Sequence, residues 1–373
     1  MKWRSKSGAR WPRGSGFSMA KRARTEELEE IDRVEGFPHP RETFSLVGQD
    51  EALARAARAV RSGRPPQGWL LTGPPGLGKA TLAYRIARYL LRYGATDAGP
   101  DDLSVAPNDP VSLQVRAGAH PGLLVLKRGI NPKTGKMMTE TSVDVIRQLA
   151  GFFGMTSGAG GWRVTVVDNA DEMSREAANA LLKALEEPPA RAMLMLLSNA
   201  PGKLLPTIRS RCQRLDLRPL SEDVLTALLA RHLPKTSEAD RVALAKLAGG
   251  SLGAALALSD EDTLTLAKDA QRAVEQAAAP NIPALLALGD RLGRSADKVT
   301  DFGNFLIAAL ERRIRARAIS EGGDGMRRWI EAWEQVRANF ERAAGLHLEP
   351  RQTIVSSVRR IQAATTHDTH ARR

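Results

Sequence analysis

Four short apolar runs in the first half of the chain alternate with segments that have the period of amphipathic helices. The runs cover residues 69–71, 123–126, 164–167 and 193–197. Continuously apolar strands are typical of a parallel sheet that helices cover on both faces. The alternation of strand and helix therefore predicts an α/β domain built on a parallel sheet.

Helical patterns lie between these runs. One covers residues 51–61, and Ser142 and Ser174 stand where the N-caps of two further helices are expected. The interval 93–119 is rich in Gly and Pro and shows no period. It predicts an irregular insertion on one edge of the domain.

After residue 219 the strand signal ends and helical patterns continue. They cover residues 221–232, 237–248, 264–278, 282–293, 298–318, 326–344 and 350–364. We therefore expect an α/β domain over 25–217, a small helical domain over 218–261 and a helical bundle over 262–373. A basic, disordered extension over 1–24 precedes them.

A glycine-rich loop follows the first apolar run. It has the spacing G-x-x-x-x-G-K and consists of Gly73, Pro74, Pro75, Gly76, Leu77, Gly78, Lys79, Ala80 and Thr81. In a strand–loop–helix context this spacing predicts a phosphate-binding loop, with backbone N–H groups and the helix N-terminus facing the anion. Lys79 would reach the outer phosphates, but Ala80 stands where a hydroxyl usually holds Mg²⁺. Thr81 lies about 100° further around the helix. The alternative is a chance glycine-rich turn.

Two polar residues end apolar runs and belong to the same candidate site. Asp168 has the position of the acid that contacts Mg²⁺, and Asn199 that of a polar sensor near the terminal phosphate. The carboxyl ends of parallel strands form the ligand-binding edge of such sheets. The alternatives are a plain strand-end aspartate and a strand-end cap. Asn169 follows Asp168, and its neutral amide cannot act as a general base.

Charge and cysteine content limit the partners and the cellular location that we expect for this protein. The formal net charge is +13, which suggests a polyanionic partner, although residues 1–24 hold eight basic side chains and no acid. That extension indicates either that the sequence is read from an upstream start while Met19 is the true initiator, or that the segment is a tail that contacts DNA. The single cysteine, Cys212, excludes an intrachain disulfide and a cysteine-cluster zinc site, and it favours a reducing, cytoplasmic location. No apolar run approaches the roughly 18 residues of a membrane span.

The most specific motif lies at residues 205–212, LPTIRSRC. Together with residues 184–189 and Ser198-Asn199, it resembles bacterial clamp-loader subunits of the AAA+ class. The triplet Ser210-Arg211-Cys212 matches the SRC motif of that family. The resemblance implies that Arg211 acts in trans as an arginine finger on a neighbouring subunit's ATP, where a guanidinium stabilises phosphoryl charge. The alternative is an arginine paired with a local acid.

Three departures from active members of the family point in one direction. Ala80 lacks the metal hydroxyl, Asn169 lacks the catalytic carboxylate, and Gly253 lacks the arginine of the second sensor. Loss of one oriented charge commonly costs orders of magnitude in rate. We therefore expect no independent ATPase activity. With Arg211 retained, the pattern resembles delta-prime subunits of the DNA polymerase III holoenzyme, a nucleotidyltransferase complex.

The resemblance also implies the roles of the helical regions, with a lid over 218–261 and an oligomerisation collar over 262–373, as well as partners and cofactors. It implies a hetero-pentamer with motor subunits and a delta subunit, which loads the sliding clamp onto primed DNA. DNA contact would be directed at phosphates, with Lys133, Lys136 and the basic start as candidates. The sequence leaves open whether ATP or ADP binds without efficient hydrolysis. Many relatives carry a four-cysteine zinc module, but this chain lacks the cysteines, so no zinc is expected.

Two alternatives remain open. One is an active AAA+ ATPase, either the motor subunit of a clamp loader or a branch-migration motor. The other is a non-enzymatic adaptor that binds nucleic acid through its basic face.

Overall fold

The computed structural model describes residues 34, 36–130, 137–154, 161–321, 326–346 and 348–370. The predicted extension, Met19, Lys133 and Lys136 all lie outside the described residues. The chain divides into two compact units, Met1–Arg218 and Pro219–Arg373. The finer division into lid and collar stays a prediction.

The first unit is built on one five-stranded sheet. Its strands are β1 (Gly68–Thr72), β2 (Leu123–Leu126), β3 (Arg163–Val167), β4 (Ala192–Ser198) and β5 (Gln213–Asp216). All neighbouring strands are parallel, in the order β2-β3-β4-β1-β5. This confirms the predicted parallel sheet. The edge strand β5 was not predicted, because only one of its four residues is buried and its sequence, QRLD, is polar.

Helices cover both faces of the sheet. They are α1 (Asp50–Arg61), α2 (Lys79–Tyr93), α3 (Pro110–Arg116), α4 (Val143–Gly154), α5 (Arg175–Glu186) and α6 (Pro206–Arg211). Alternate strand residues enter different cores: Trp69 and Leu71 pack with α1 and α2, whereas Leu70 packs with α4 and α5. Burial on both faces explains why the inner strands β1, β3 and β4 are predominantly apolar.

The predicted irregular insertion needs a correction. Part of it forms α3, where the Oδ1 atom of Asp109 accepts a hydrogen bond from the Val111 N–H at 2.9 Å and caps the helix. Leu103 and Val105 are buried in the core that α1 and α2 share. Pro110 at the first helical position is compatible with a helix start, although proline also punctuates loops.

The second unit contains only helices among its described residues. They are α7 (Glu222–His232), α8 (Glu238–Ala248), α9 (Leu252–Ala257), α10 (Glu261–Glu275), α11 (Ile282–Leu292), α12 (Ala296–Glu321), α13 (Met326–Leu346) and α14 (Pro350–His370). One apolar cluster contains side chains from each of the helices α7, α8, α9 and α10. A second contains side chains from α10, α11, α12, α13 and α14. Within the described ranges, no helix has the length and apolarity needed to cross a membrane.

Two glycines of the first unit provide a test of this packing. A Cβ atom on Gly122 would lie 2.8 Å from the backbone oxygen of Trp162, whereas one on Gly151, inside α4, would meet nothing within 4 Å. We expect Gly122→Ala to destabilise the first unit by about 1–3 kcal/mol through overpacking. Gly151→Ala should stabilise it by about 0.5–1 kcal/mol through helix propensity. Chemical denaturation of both variants measures this, and equal effects would contradict the packing described.

Candidate functional site

The glycine-rich loop connects β1 to α2 and uses backbone conformations that favour glycine. Gly73, Gly76 and Gly78 have φ values of 143°, 75° and 92°. A Cβ atom on Gly73 would lie 2.7 Å from the backbone oxygen of Leu217. The exposed tip of the loop consists of Pro74, Pro75 and Gly76, and Leu77 anchors the loop in the core. The sequence therefore folds into the predicted strand–loop–helix arrangement.

The ammonium group of Lys79 lies inside this loop. Its Nζ atom donates hydrogen bonds to the carbonyl oxygens of Gly73 and Pro74 at 2.7 and 2.8 Å, and to Oδ1 of Asn199 at 2.7 Å. An ammonium has three donors, so these three bonds satisfy it. Lys79 is only 7% exposed. A buried cation of this kind is stable only when its donors are matched.

Burial also changes the acidity of this group. It lowers the pKa of Lys79 from 10.5 to about 8, because the charged form loses its hydration, and the nearby carboxylates of Asp168 and Asp171 oppose the shift. The ammonium form therefore predominates at neutral pH. A cation is available there for phosphate.

Sheet topology brings Asn199 to Lys79. β4 pairs with β1, and Thr72 lies opposite Ser198 at the ends of the two strands. Asn199 follows immediately, and its backbone N–H donates to Oδ1 of Asp171 at 2.8 Å. The predicted meeting of the loop and Asn199 at one edge of the sheet is thus what the structure shows.

Asn169 completes a hydrogen-bonded chain. Its Oδ1 atom accepts from Nδ2 of Asn199 at 2.9 Å, while Oδ1 of Asn199 accepts from Lys79. Asn169 itself is in the left-handed region, with φ 47°, which asparagine tolerates better than most residues. Sequence reasoning recognised the missing carboxylate at this position. It missed that the amide orients Asn199.

The donors of this site fit a phosphate group. The first bond of α2 runs from the Leu82 N–H to the Gly78 oxygen at 2.9 Å, so earlier N–H groups of that turn have no acceptor within the helix. Together with the ammonium, they form the kind of site that binds anions. The fit to Mg²⁺ is less complete. Asp168 and Asp171 supply carboxylates, but Ala80 supplies only a methyl group, and Thr81 is one residue further along α2.

Arg211 lies at the surface on the last turn of the short helix α6. Its Nη2 atom forms an ion pair with Oε1 of Glu186 at 2.8 Å, and its Nη1 atom donates to the Thr207 oxygen at 3.1 Å. The side chain is 38% exposed. Arg211 therefore pairs with a local acid, as the alternative interpretation expected. Its side chain is nevertheless exposed enough to contact a ligand. Nothing in the local sequence pattern identified Glu186 as the partner.

Cys212 and Gly253 are two further residues that the sequence analysis named. Burial raises the pKa of Cys212 to about 12, so its thiol is protonated at neutral pH and is a poor metal ligand. No group of three or more His, Cys, Asp or Glu residues that could hold a metal occurs in the described parts of the chain. Gly253 lies in α9 of the second unit.

Lys79→Met tests the buried ammonium. Between about pH 8 and 10.5 the unfolded chain holds the lysine proton more tightly than the folded chain, so deprotonation relieves the burial penalty and stability rises with pH. Relative to the variant, the free energy of unfolding of the wild type should rise by about 2 kcal/mol at most between roughly pH 7.5 and 9.5. Reversible denaturation of both proteins measures this. Parallel pH curves would contradict the shifted pKa.

The sequence similarity to known proteins lies mainly in the first unit. Residues 48–221 match the family model described as DNA polymerase III, delta subunit. The curated DNA polymerase III subunit delta' of Pseudomonas aeruginosa is 37% identical over 184 residues, which are 49% of this chain and 52% of that protein. The chain thus spans about half the length of this relative.

A gamma/tau subunit also matches. The DNA polymerase III subunit gamma/tau of Mycobacterium bovis is 32% identical over 200 residues, covering 52% of this chain and 31% of that protein. Among solved structures, a DNA polymerase III gamma subunit-related protein of Thermotoga maritima has 16% identity and a TM-score of 0.43, with 85% of this chain and 99% of that chain covered. This structural likeness is too loose to carry an argument. Over the matched residues the chain is similar to delta-prime and gamma/tau subunits of DNA polymerase III, which confirms the predicted resemblance to clamp-loader subunits.

Proposed function

We propose that this chain is a delta-prime-like subunit of a DNA polymerase III clamp loader that lends Arg211 to the ATP of a neighbouring motor subunit. The observation that carries the proposal is a contrast within the first unit. Arg211 is accessible at the surface, whereas the chain's own pocket has Asn169 bonded to Asn199 where a catalytic carboxylate would be needed. The chain serves the catalytic site of another subunit.

Two side chains argue against hydrolysis in the chain's own pocket. A general base contributes about 10²–10⁴ in rate, and the amide of Asn169 accepts no proton at neutral pH. Ala80 offers no hydroxyl to Mg²⁺, which normally neutralises the charge that develops on the phosphates. The two losses compound, because each acts on a different part of the reaction.

Nucleotide binding without efficient hydrolysis is nevertheless compatible with the loop. Lys79 is already satisfied by two loop carbonyls and Asn199. An incoming phosphate of ATP or ADP would have to replace one of these acceptors. A doubly charged oxygen cluster is a stronger acceptor for an ammonium than a neutral amide. We include this exchange in the proposal, with Asp168 and Asp171 as carboxylates whose charge acts on the ammonium.

The partners follow from the same similarity. We infer a cytoplasmic hetero-pentamer with motor subunits and a delta subunit, acting on the sliding clamp and on primed DNA. The collar over 262–373 would supply the assembly contacts through its long helices. The net charge of +13 is compatible with contact to DNA phosphates.

Arg211→Ala in the assembled loader is the direct test. An arginine finger contributes about 10³–10⁵ to the rate of phosphoryl transfer, so we expect the DNA-stimulated ATPase at the adjoining site to fall by at least about 10²-fold. Arg209→Ala is the matched control, because Arg209 is an exposed arginine on the same short helix. It should leave the rate within about twofold. An unchanged rate for Arg211→Ala would instead favour the nucleic-acid-binding adaptor.

The match to a gamma/tau subunit keeps an active motor as the second candidate. The purified chain alone distinguishes the two. Our proposal expects no turnover above that of Lys79→Ala. Robust ATP hydrolysis that disappears in Lys79→Ala would show that the chain is itself a motor.

A further inference from the structure

We infer that Glu186 is a positioning residue for Arg211, an inference that rests on the proposed function. The carboxylate of Glu186 holds the Nη2 atom of the guanidinium at 2.8 Å. Glu186 is the last residue of α5, and Arg211 is the last residue of α6. The two helices end beside each other, so the ion pair adds a contact from α5 to the hydrogen bond that the Arg211 side chain makes within α6.

The backbone beneath Arg211 is already fixed by packing. A Cβ atom on Gly68 of β1 would lie 3.1 Å from the Arg211 oxygen and 3.4 Å from the Cys212 Sγ atom, so strand and motif are in close contact. Ile208 is fully buried in the adjoining core. The remaining freedom at the motif is therefore in the Arg211 side chain, and Glu186 is the group that restricts it.

Two contacts define the orientation of the guanidinium. Nη1 donates a hydrogen bond to the Thr207 oxygen within α6, and Nη2 forms an ion pair with the Glu186 carboxylate from α5. A guanidinium has five N–H donors, so these two contacts leave donors for a phosphate oxygen. Glu186 can thus hold the side chain in place while Arg211 contacts a nucleotide. A guanidinium that is already held in one orientation loses less conformational entropy when it binds a phosphate.

The same pair contributes little to the stability of the fold. The side chains of Arg211 and Glu186 are 38% and 48% exposed, and ion pairs this exposed are weak because solvent screens them. Replacing Glu186 should therefore leave the protein folded. Its effect should appear in the rate of the neighbouring site, where a displacement of about 1 Å can cost up to roughly 10²-fold.

The experiment measures ATP turnover of the assembled loader with substitutions at this pair. We expect Glu186→Ala to lower kcat by about tenfold with little change in KM, because it affects positioning rather than ATP binding. The kcat of Glu186→Gln should lie between those of the wild type and Glu186→Ala, since its amide oxygen can accept a hydrogen bond although the charge is lost. Glu187→Ala is the matched control: Glu187 is an exposed acid one residue further on, and its loss should leave kcat unchanged.

The double variant Glu186→Ala/Arg211→Ala decides the mechanism. If Glu186 acts through Arg211, the glutamate substitution has no further effect once the arginine is absent. An equal loss in both backgrounds overturns the inference, and so does a faster rate in Glu186→Ala, which would mean that the carboxylate competes with phosphate. If Arg211→Ala alone changes nothing, the proposed function fails first. If Arg211→Ala is impaired and Glu186→Ala is normal, only this inference fails.

Discussion

The buried ammonium of Lys79 is the interaction on which the candidate site depends. A charge that is only 7% exposed needs a partner for each donor, and it has two carbonyls of its own loop and the side chain of Asn199, the residue after β4. The loop can therefore keep its shape only if glycines allow the turn and if β4 lies next to β1. The strand order of the sheet meets the second condition.

The requirement to orient Asn199 extends this network to Asn169. An amide that accepts from Lys79 must also place its own N–H groups, and Asn169 accepts one of them at 2.9 Å. The residue at the position of a general base is thus used to hold the site together. The site therefore has a buried cation, as a phosphate-binding loop would require, and an amide rather than a carboxylate at residue 169. Arg211 lies outside that network, at the surface.

Much of the first unit was predictable because its strands are buried on both faces. Residues 164–167 and 193–197 are short, almost continuously apolar runs, which predict interior strands. The loop before Lys79 has the spacing of a phosphate-binding loop. The strand at 213–216 was missed because three of its four residues are polar and only Leu215 is buried. The ion pair between Arg211 and Glu186 could not be predicted either. Its partners are distant in sequence, and only the packed helices bring them together.

The most direct test of the account is a structure of the assembled loader with a non-hydrolysable ATP analogue. The account predicts that the Arg211 guanidinium lies at about 3 Å, within hydrogen-bond distance, of the terminal phosphate on a neighbouring subunit. It also predicts that Asn169 remains bonded to Asn199 in this chain's own pocket. An Arg211 side chain that points to solvent or to its own subunit, away from every nucleotide, would contradict the central claim.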